Sequence, residues 1–458
     1  MTAPSVSVAR PDATISRPRA QRYSASEIQK LKERDNVTNI GHLGFVYAVM
    51  AVTIIAAVSC YAAVAAGHLA FGWAIPVTIL GVIAMGASQH QLGGAIHEGT
   101  HYMLFADKRT SELASDWLAA FPIYTSTYAF RLHHLAHHQF VNDPQRDPNF
   151  DQAKESGHWL DFPVAHIDFL WAVLRLLWLP NTIRYIVARA KYSAIGVDTN
   201  PYADTARKGS AWAIRSGVLF AVGAPIVAIG LILADHRGLA LAAIPVLWAA
   251  ITAYYLMIPD NHFPQSKIDP VVSHRATAIG RMTWLAIVYS LLSAVEYVYG
   301  APAWGYYGLL WILPLFTTFP LFMILREWLQ HGNADRGRLT NSRIIIENNP
   351  IIRYAVYPWG MDYHLPHHLF ASVPHYKLKQ LHEVLLRDPE YREQSLIVEG
   401  WSKPNSNGLP TIMDVIGPAF AGKSTEKHVD DATLEMADVN DVAGVQRQID
   451  ASRRGTTH

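Results

Sequence analysis

The chain has 458 residues, half of them hydrophobic (50%), and a formal net charge of +1. A charge this close to zero argues against a nucleic-acid partner. The single cysteine, Cys60, excludes an internal disulfide and any cysteine-ligated iron–sulfur, rubredoxin-like or Cys-rich zinc site. The chain has 22 histidines, so nitrogen and oxygen would have to hold any bound metal.

The chain begins with a polar arm, residues 1–41, that is rich in Pro, Ser and Arg. This arm lacks the apolar segment of a signal peptide. We expect it to be disordered except for one short helix over about 24–33, capped by Ser24 or Ser26.

Six apolar segments follow, and each is long enough to cross about 30 Å of hydrocarbon as a helix. They lie at about 43–66, 70–96, 213–234, 238–258, 282–299 and 304–325. The pattern predicts an all-α integral membrane protein with about six transmembrane helices (four to six). The basic residues of the arm and the even number of spans predict that both termini are cytoplasmic. The segment 163–180 is expected to form a helix lying on the bilayer surface.

These segments divide the chain into three parts. Residues 1–41 form the polar arm, and residues 42–402 form a membrane domain with a cytoplasmic helical cap that holds a histidine-rich dimetal site. Residues 403–458 lose the apolar pattern and are expected to be a disordered polar tail.

Three short motifs place histidines on one helix face: HEGTH at 97–101, HLAHH at 134–138 and HLPHH at 364–368. All three lie in or beside the predicted cytoplasmic segments, so they can converge on one site. A further histidine follows the last apolar segment. The candidate metal ligands are therefore His97, His101, His134, His137, His138, His331, His364, His367 and His368.

Nine imidazoles exceed the three or four protein ligands of one zinc ion and suit two ions. Two irons are the natural prediction, because an iron site can be redox-active and a zinc site cannot. Nearby polar side chains are candidates to orient the imidazoles or to act as further ligands. They are Glu98, His133, Asn142, Asp147, His262 and Asp362. For Asp147, which precedes Pro148, a purely structural role is equally expected.

The motifs resemble the histidine boxes of the integral-membrane fatty acid desaturase superfamily, which includes membrane hydroxylases and carotenoid ketolases. The similarity covers roughly residues 40–390. It includes AIHEGTHYMLF around the first box, Arg131 three residues before the second, DPN at 147–149 and YHLPHHLFASVPHYKLKQLH at 363–382. The sequence differs from many acyl desaturases at Pro366 and at Gln330.

The resemblance implies a diiron enzyme, with O₂ as co-substrate, that introduces a double bond into an acyl chain of a membrane lipid or acyl thioester. It also implies a separate electron donor of the ferredoxin, rubredoxin or cytochrome b5 type, with its reductase. This sequence contains no HPGG motif of a fused cytochrome b5.

Two alternatives remain open at this stage. A diiron hydroxylase or ketolase would add oxygen to an alkane, sterol or carotenoid. The run HHLAHH also fits the spacing of membrane alkane hydroxylases if His133 replaces His134 as ligand. A more distant alternative is an intramembrane zinc protease that uses His97, Glu98 and His101, in which the other two motifs would be dispensable.

Overall fold

The computed structural model describes residues 23–194, 200, 202–204 and 209–420. Expectations for residues 1–22 and 421–458 therefore lie outside the described residues. Helices account for nearly all of the regular structure in the described part. The prediction of an all-α membrane fold with about six spans is confirmed.

The amino-terminal end of the described chain is a short capped helix, α1 (Ala25–Lys32). The Ser24 hydroxyl accepts from the Glu27 backbone N–H, and the Glu27 carboxylate accepts from the Ser24 N–H at 2.9 Å. This reciprocal pair satisfies two N–H groups that the first helical turn leaves open. Ile28 and Leu31 of α1 are buried against the region after the third histidine motif. This helix of the predicted arm is thus packed on the protein.

The first two spans form a helical hairpin of α2 (Thr38–Ala65) and α3 (Ala74–Thr100), joined through a short 3₁₀ turn at Phe71–Trp73. The carboxyl half of α3 is buried. Gly86 is needed there because an added Cβ would clash with the Thr318 side chain and with the Phe319 backbone nitrogen at 2.8 Å. The second span is therefore enclosed by protein at the end that carries the first histidine motif.

A connecting region separates this hairpin from the next span. It contains α4 (Lys108–Ser115), α5 (Thr127–Phe140), α6 (Pro148–Ser156), α7 (His166–Arg175) and α8 (Leu179–Ala194). Helix α7 buries Phe169 and leaves Leu170, Trp171 and Leu174 exposed. This exposed apolar row suits the predicted helix on the bilayer surface, whose position remains a prediction.

The remaining spans are α9 (Ala211–Leu233), α10 (Arg237–Met257), α11 (His274–Tyr299) and a broken sixth span. The sixth span consists of α12 (Ala303–Tyr307), a π turn at Gly308–Ile312, α13 (Leu313–Phe316) and α14 (Thr318–His331). Side chains of α9, α10 and α11 share one apolar core, which includes Phe220, Ile244 and Tyr289. Six helices are thus long and apolar enough to cross a membrane.

After the sixth span the chain forms a small cap that contains the third histidine motif. Its elements are β1 (Arg343–Ile346), α15 (Pro350–Val356), α16 (His364–Leu369), α17 (Leu378–Leu385), α18 (Pro389–Gln394), β2 (Leu396–Glu399) and α19 (Ile412–Ile416). The two strands pair in parallel, with Arg343 opposite Leu396. The sequence reasoning missed this pair because four-residue strands give too short an apolar pattern to recognise.

The expected polar tail is corrected at its beginning. Helix α19 lies in it, and the helix buries Ile412, Val415 and Ile416 in the core beside the sixth span. The Ile416 carbonyl accepts from the Val164 N–H at 2.9 Å. Part of the predicted tail therefore packs as part of the domain, because one apolar turn among polar residues is enough to bury a short helix.

Candidate metal centre

Four helices bring the histidines together. His97 lies in the last turn of α3, and His101 follows directly as its cap residue. Helix α5 presents the second motif, α16 presents the third, and His331 is the last residue of α14. The first motif and His331 therefore lie at the ends of the spans themselves. All nine predicted histidines converge in two groups.

The first group contains His97, His101, His134, His138 and His367, and their ligand atoms all lie within 4.8 Å of one another. The Nε2 atom of His134 is 3.0 Å from that of His101 and 2.9 Å from that of His138. The Nε2 atoms of His138 and His367 are 3.1 Å apart. The buried Nε2 of His97 has no hydrogen-bond partner among the described residues.

The second group contains His137, His331, His364 and His368, and their ligand atoms also lie within 4.8 Å of one another. His364 Nε2 lies 2.8 Å from His331 Nε2 and 3.0 Å from His368 Nε2. The groups are in contact, because the rings of His138 and His368 stack with centroids 4.3 Å apart. The two candidate metal sites are therefore adjacent, and these two rings lie between them.

The spacing of the nitrogens fits metal coordination. Two imidazole nitrogens about 2.1 Å from one ion lie about 3.0 Å apart at a right angle and about 3.4 Å apart at the tetrahedral angle. The contacts of 2.8–3.1 Å match the right angle. The donor set therefore fits coordination of a metal ion in each group.

The rings of His101, His134, His138 and His367 are also in the protonation state that metals require. Burial lowers the pKa of His101 to about 3. Burial and the neighbouring imidazoles hold the pKa values of His134, His138 and His367 well below the usual range. Neutral imidazoles offer a lone pair to a cation, whereas protonated ones cannot bind it. The nine residues thus fit two metal ions.

Hydrogen bonds behind the second group fix the ring orientation. His137 Nδ1 donates to the Asp147 carboxylate, with both oxygens at 3.0 Å. His331 Nδ1 donates to the Asn341 carbonyl at 2.9 Å. With its proton on Nδ1, each ring directs the lone pair of Nε2 into the group. Burial opposes a charge on His137, but the Asp147 carboxylate outweighs that effect and raises its pKa.

Two buried side chains hold the motifs at their positions. Arg131 on α5 donates to the carbonyls of Gly99 and Thr100, each at 2.9 Å, and pairs with Glu112. This links the second motif to the end of α3. Gln330 donates to the Met361 carbonyl at 2.6 Å and thereby ties the end of α14 to the turn before α16.

Comparison with known proteins decides the family. The sequence profile of a family described as "Fatty acid desaturase" matches residues 76–286 and 244–399, which include all nine histidines. The chain belongs to the fatty acid desaturase family. The predicted resemblance is therefore confirmed, and the six apolar helices of this family member fit a multi-pass membrane protein.

One curated relative of this family member is a protein named dihydrorhizobitoxine desaturase, from Bradyrhizobium elkanii. The two are 22% identical over 360 residues, which cover 77% of this chain and 80% of the relative. The match supports a desaturase-type oxidoreductase function.

Two of the polar residues predicted beside the ligands, Asp147 and Asn142, contact the second histidine group or its support. Asp147 caps α6 and also accepts from His137 Nδ1, a geometry that suits both predicted roles. Asn142 donates to the Asn341 carbonyl at 2.7 Å and so supports the residue that orients His331.

His133, the alternative to His134, lies outside both groups, and its Nε2 donates to the side-chain oxygen of Asn149 at 2.7 Å. The geometry therefore favours His134, although its role as ligand stays a prediction.

Three other candidates are not in either group. Glu98 is buried and accepts from the His375 backbone N–H at 3.0 Å. Asp362 pairs with Arg353, with Oδ2 3.0 Å from Nε. His262 lies in a short turn after the fourth span and receives the Ser210 N–H at its carbonyl. Glu98 thus fastens the loop after the third motif to the first motif.

A cavity of about 540 Å³ adjoins the histidines. His97, His134, His137, His331 and His364 line it. The rest of its lining is mixed. The large apolar side chains are Phe130, Phe150, Trp159, Leu160, Phe162, Tyr185, Met323, Ile324, Trp328 and Phe420. The polar part of the lining includes Asn149, Glu327, Arg189 and Arg326. Sequence reasoning did not place the two arginines at the site, because no motif spacing marks them.

Proposed function

We propose that the protein is a membrane-bound, O₂-dependent lipid desaturase that introduces a double bond into an acyl chain. The supporting observation is the pair of adjacent histidine groups beside one cavity. The nine histidines would hold two irons, five in one group and four in the other. Bound iron would supply the redox chemistry that activates O₂ toward an unactivated C–H bond.

The overall reaction couples oxidation of the acyl chain to reduction of O₂. Two neighbouring methylenes each lose one hydrogen, and a second bond forms between their carbons. These two hydrogens, two electrons from a donor and two protons reduce O₂ to two waters. In this scheme the protein places the methylenes against the histidine groups, as the cavity allows, and excludes bulk water with its aromatic lining.

The donor in this proposal is a separate protein of the ferredoxin, rubredoxin or cytochrome b5 type, with its reductase. The active site and both termini are cytoplasmic in the proposal. The positive-inside rule supports this side, because exposed basic residues such as Arg184 lie in the connecting region that follows the second span. The substrate is a membrane lipid or an acyl thioester.

The first experiment is elemental analysis of the protein purified in mild detergent. We expect about two irons per chain. His367→Ala and His137→Ala should lose iron, because each removes one member of a group. His133→Ala is the matched control, since it changes a buried histidine of the same helix that lies outside both groups. A single zinc, unaffected by His367→Ala and lost only with His97, would refute the proposal.

Product analysis then separates the reaction types. Iron-loaded protein is incubated with a reduced donor, O₂ and labelled membrane lipids or acyl thioesters, followed by mass spectrometry. Desaturation gives a product that is lighter by two hydrogens, whereas hydroxylation or ketone formation gives a product that contains added oxygen. Full activity of the His367→Ala variant would contradict any role of the histidine groups.

A further inference from the structure

The cavity beside the histidines contains a guanidinium whose charge the protein does not neutralise through a direct contact. Arg326 lies on α14 and lines the cavity. Its Nε is buried and has no hydrogen-bond partner among the described residues. No acidic side chain in the described part of the chain lies within ion-pair distance of it. The neighbouring Glu327 carboxylate acts on this charge without an ion-pair contact, so the buried Nε–H remains a hydrogen-bond donor without a protein acceptor, and this position needs an explanation.

A second guanidinium lines the same cavity. Arg189 on α8 donates to the Gln152 side-chain oxygen at 3.2 Å, and its guanidinium carbon lies 5.3 Å from the centre of the Phe130 ring. Gln152 is uncharged, so it does not balance the arginine. The positive charges of Arg189 and Arg326 also repel each other. Two guanidinium groups therefore line one partly open cavity.

The carboxylates of the cavity lining form no ion pair with Arg326, although the Glu327 charge acts on it from the neighbouring position, and both accept hydrogen bonds from other groups. Glu327 accepts from the Asn149 side-chain amide at 2.7 Å. Asp335 accepts from the Gly337 backbone N–H at 2.8 Å and from the Thr340 hydroxyl. Each of these carboxylates thus has protein donors, whereas Arg326 has no protein acceptor among the described residues.

The two arginines are close to the metal centre. His137 of α5 and His364, the first residue of α16, belong to the second histidine group. Both histidines line the cavity together with the arginines. A ligand of ordinary small-molecule size can therefore contact the arginines and the histidine groups at once, since about 540 Å³ lies in the range of small-molecule sites.

We infer that Arg326 and Arg189 bind an oxyanion of the substrate, a carboxylate or a phosphate, inside the cavity beside the histidine groups. This inference rests on the proposed function and narrows its substrates to those that carry a carboxylate or phosphate group close enough to the reacting carbon for both to occupy the cavity. Guanidinium groups pair with both oxyanions through paired N–H donors. Met323, Ile324 and Trp328 supply the apolar surface for the rest of the molecule.

The arrangement also assigns a positioning role to the arginine pair. An oxyanion fixed at one end of the cavity sets which carbon of the chain reaches the histidines. A neutral chain would leave both guanidiniums unpaired, and it would lose the hydrogen bonds that a charged ligand provides. Hydrogen bonds between a guanidinium and an oxyanion are stronger than hydrogen bonds between neutral groups.

The test measures binding of defined probes to the iron-loaded protein in detergent. The probes are octanoate, methyl octanoate and octyl phosphate, each measured by equilibrium dialysis with radiolabelled compound. We expect one of the two anions to bind at least about ten-fold more tightly than the neutral ester. Tighter binding of octanoate assigns a carboxylate, and tighter binding of octyl phosphate assigns a phosphate. Equal binding of all three probes, or no anion binding, would overturn the inference.

Variants connect the binding to the arginines. Arg326→Gln and Arg189→Gln should each weaken anion binding by about ten-fold or more and leave ester binding unchanged. Arg326→Lys should retain part of the binding, because it keeps the charge but not the paired donors. Arg184→Gln is the matched control, since Arg184 is exposed on the same helix as Arg189. Unchanged anion binding in both glutamine variants would refute the assignment.

Metal analysis of the same samples separates this inference from the proposed function. Iron at the wild-type level in Arg326→Gln, together with lost anion binding, supports the inference. Iron at that level with unchanged anion binding refutes the arginine site and leaves the desaturase proposal standing. Wild-type protein without iron would count against the desaturase proposal, while the binding measurements would still decide the anion site.

Discussion

Asp147→Asn is expected to weaken iron binding at the second histidine group. The Asp147 carboxylate accepts four N–H contacts: His137 Nδ1 at 3.0 Å from each oxygen, and the backbone N–H groups of Asn142 and Asn149 at 2.9 Å. An asparagine keeps one oxygen, and its NH₂ group must face an N–H donor. At least one of these contacts is therefore lost, together with the negative charge that favours the proton on His137 Nδ1.

Loss of a partner that orients a ligating histidine costs about 10–100-fold in metal affinity, or about 1.4–2.8 kcal/mol. The range agrees with the loss of one hydrogen bond to a charged group, about 1.5–3 kcal/mol. Folding should change little, because asparagine caps a helix about as well as aspartate does. The substitution should therefore lower the iron affinity of the second histidine group and leave the stability of α6 unchanged.

The assay is a chelator competition under anaerobic conditions with ferrous iron. Asp147→Asn should release one class of iron at a lower chelator concentration than the wild type, while the five-histidine group retains its iron. Asp143→Asn is the matched control, because Asp143 lies in the same loop but pairs with Arg146 and Arg336. Equal iron affinity of both variants and the wild type would refute the reasoning.

The geometry supports three further predictions. His134→Ala should lose iron in elemental analysis while His133→Ala retains it, and the reverse result would assign the ligand to His133. Arg131→Gln should lower the free energy of unfolding by about 3–5 kcal/mol, because it leaves a buried carboxylate unpaired; an unchanged thermal midpoint in detergent would contradict this. Gly86→Ala places a Cβ in collision with the Thr318 side chain and should cost about 1–3 kcal/mol. Gly44→Ala is its control, with no atom within 4 Å of the added Cβ, and equal midpoints for the two alanine variants would show that the helices adjust freely.

The amino-acid sequence by itself determined the spans and the candidate ligands. Apolar segments of sufficient length define membrane helices, because the bilayer leaves backbone groups no partners outside a helix. Spacings of three and four residues place imidazoles on one helix face, so the motif spacing alone pairs His134 with His138. The order of three motifs then indicated the family, which the profile match confirms.

Only the tertiary structure decided how the residues divide and what supports them. His133 and His134 are adjacent in sequence, and local spacing fits both, but packing directs His133 to Asn149 and His134 into the first group. The partner of Arg131 and the carbonyl that orients His331 come from segments distant along the chain or from loops without a motif. Such contacts depend on the tertiary packing of the helices, which the local sequence pattern does not specify.

The cavity shows most clearly what the sequence alone does not reveal. Arg189 and Arg326 lie on helices separated by more than a hundred residues, and each reads as an ordinary basic residue near the end of an apolar segment. Their common lining of one cavity follows from the packing of α8 beside α14. In the same way, α19 is buried because the fold provides an apolar surface for a single turn, which a short pattern such as IMDVI does not reveal. Sequence periodicity thus fixes local faces, whereas the charges enclosed in a cavity depend on tertiary contacts.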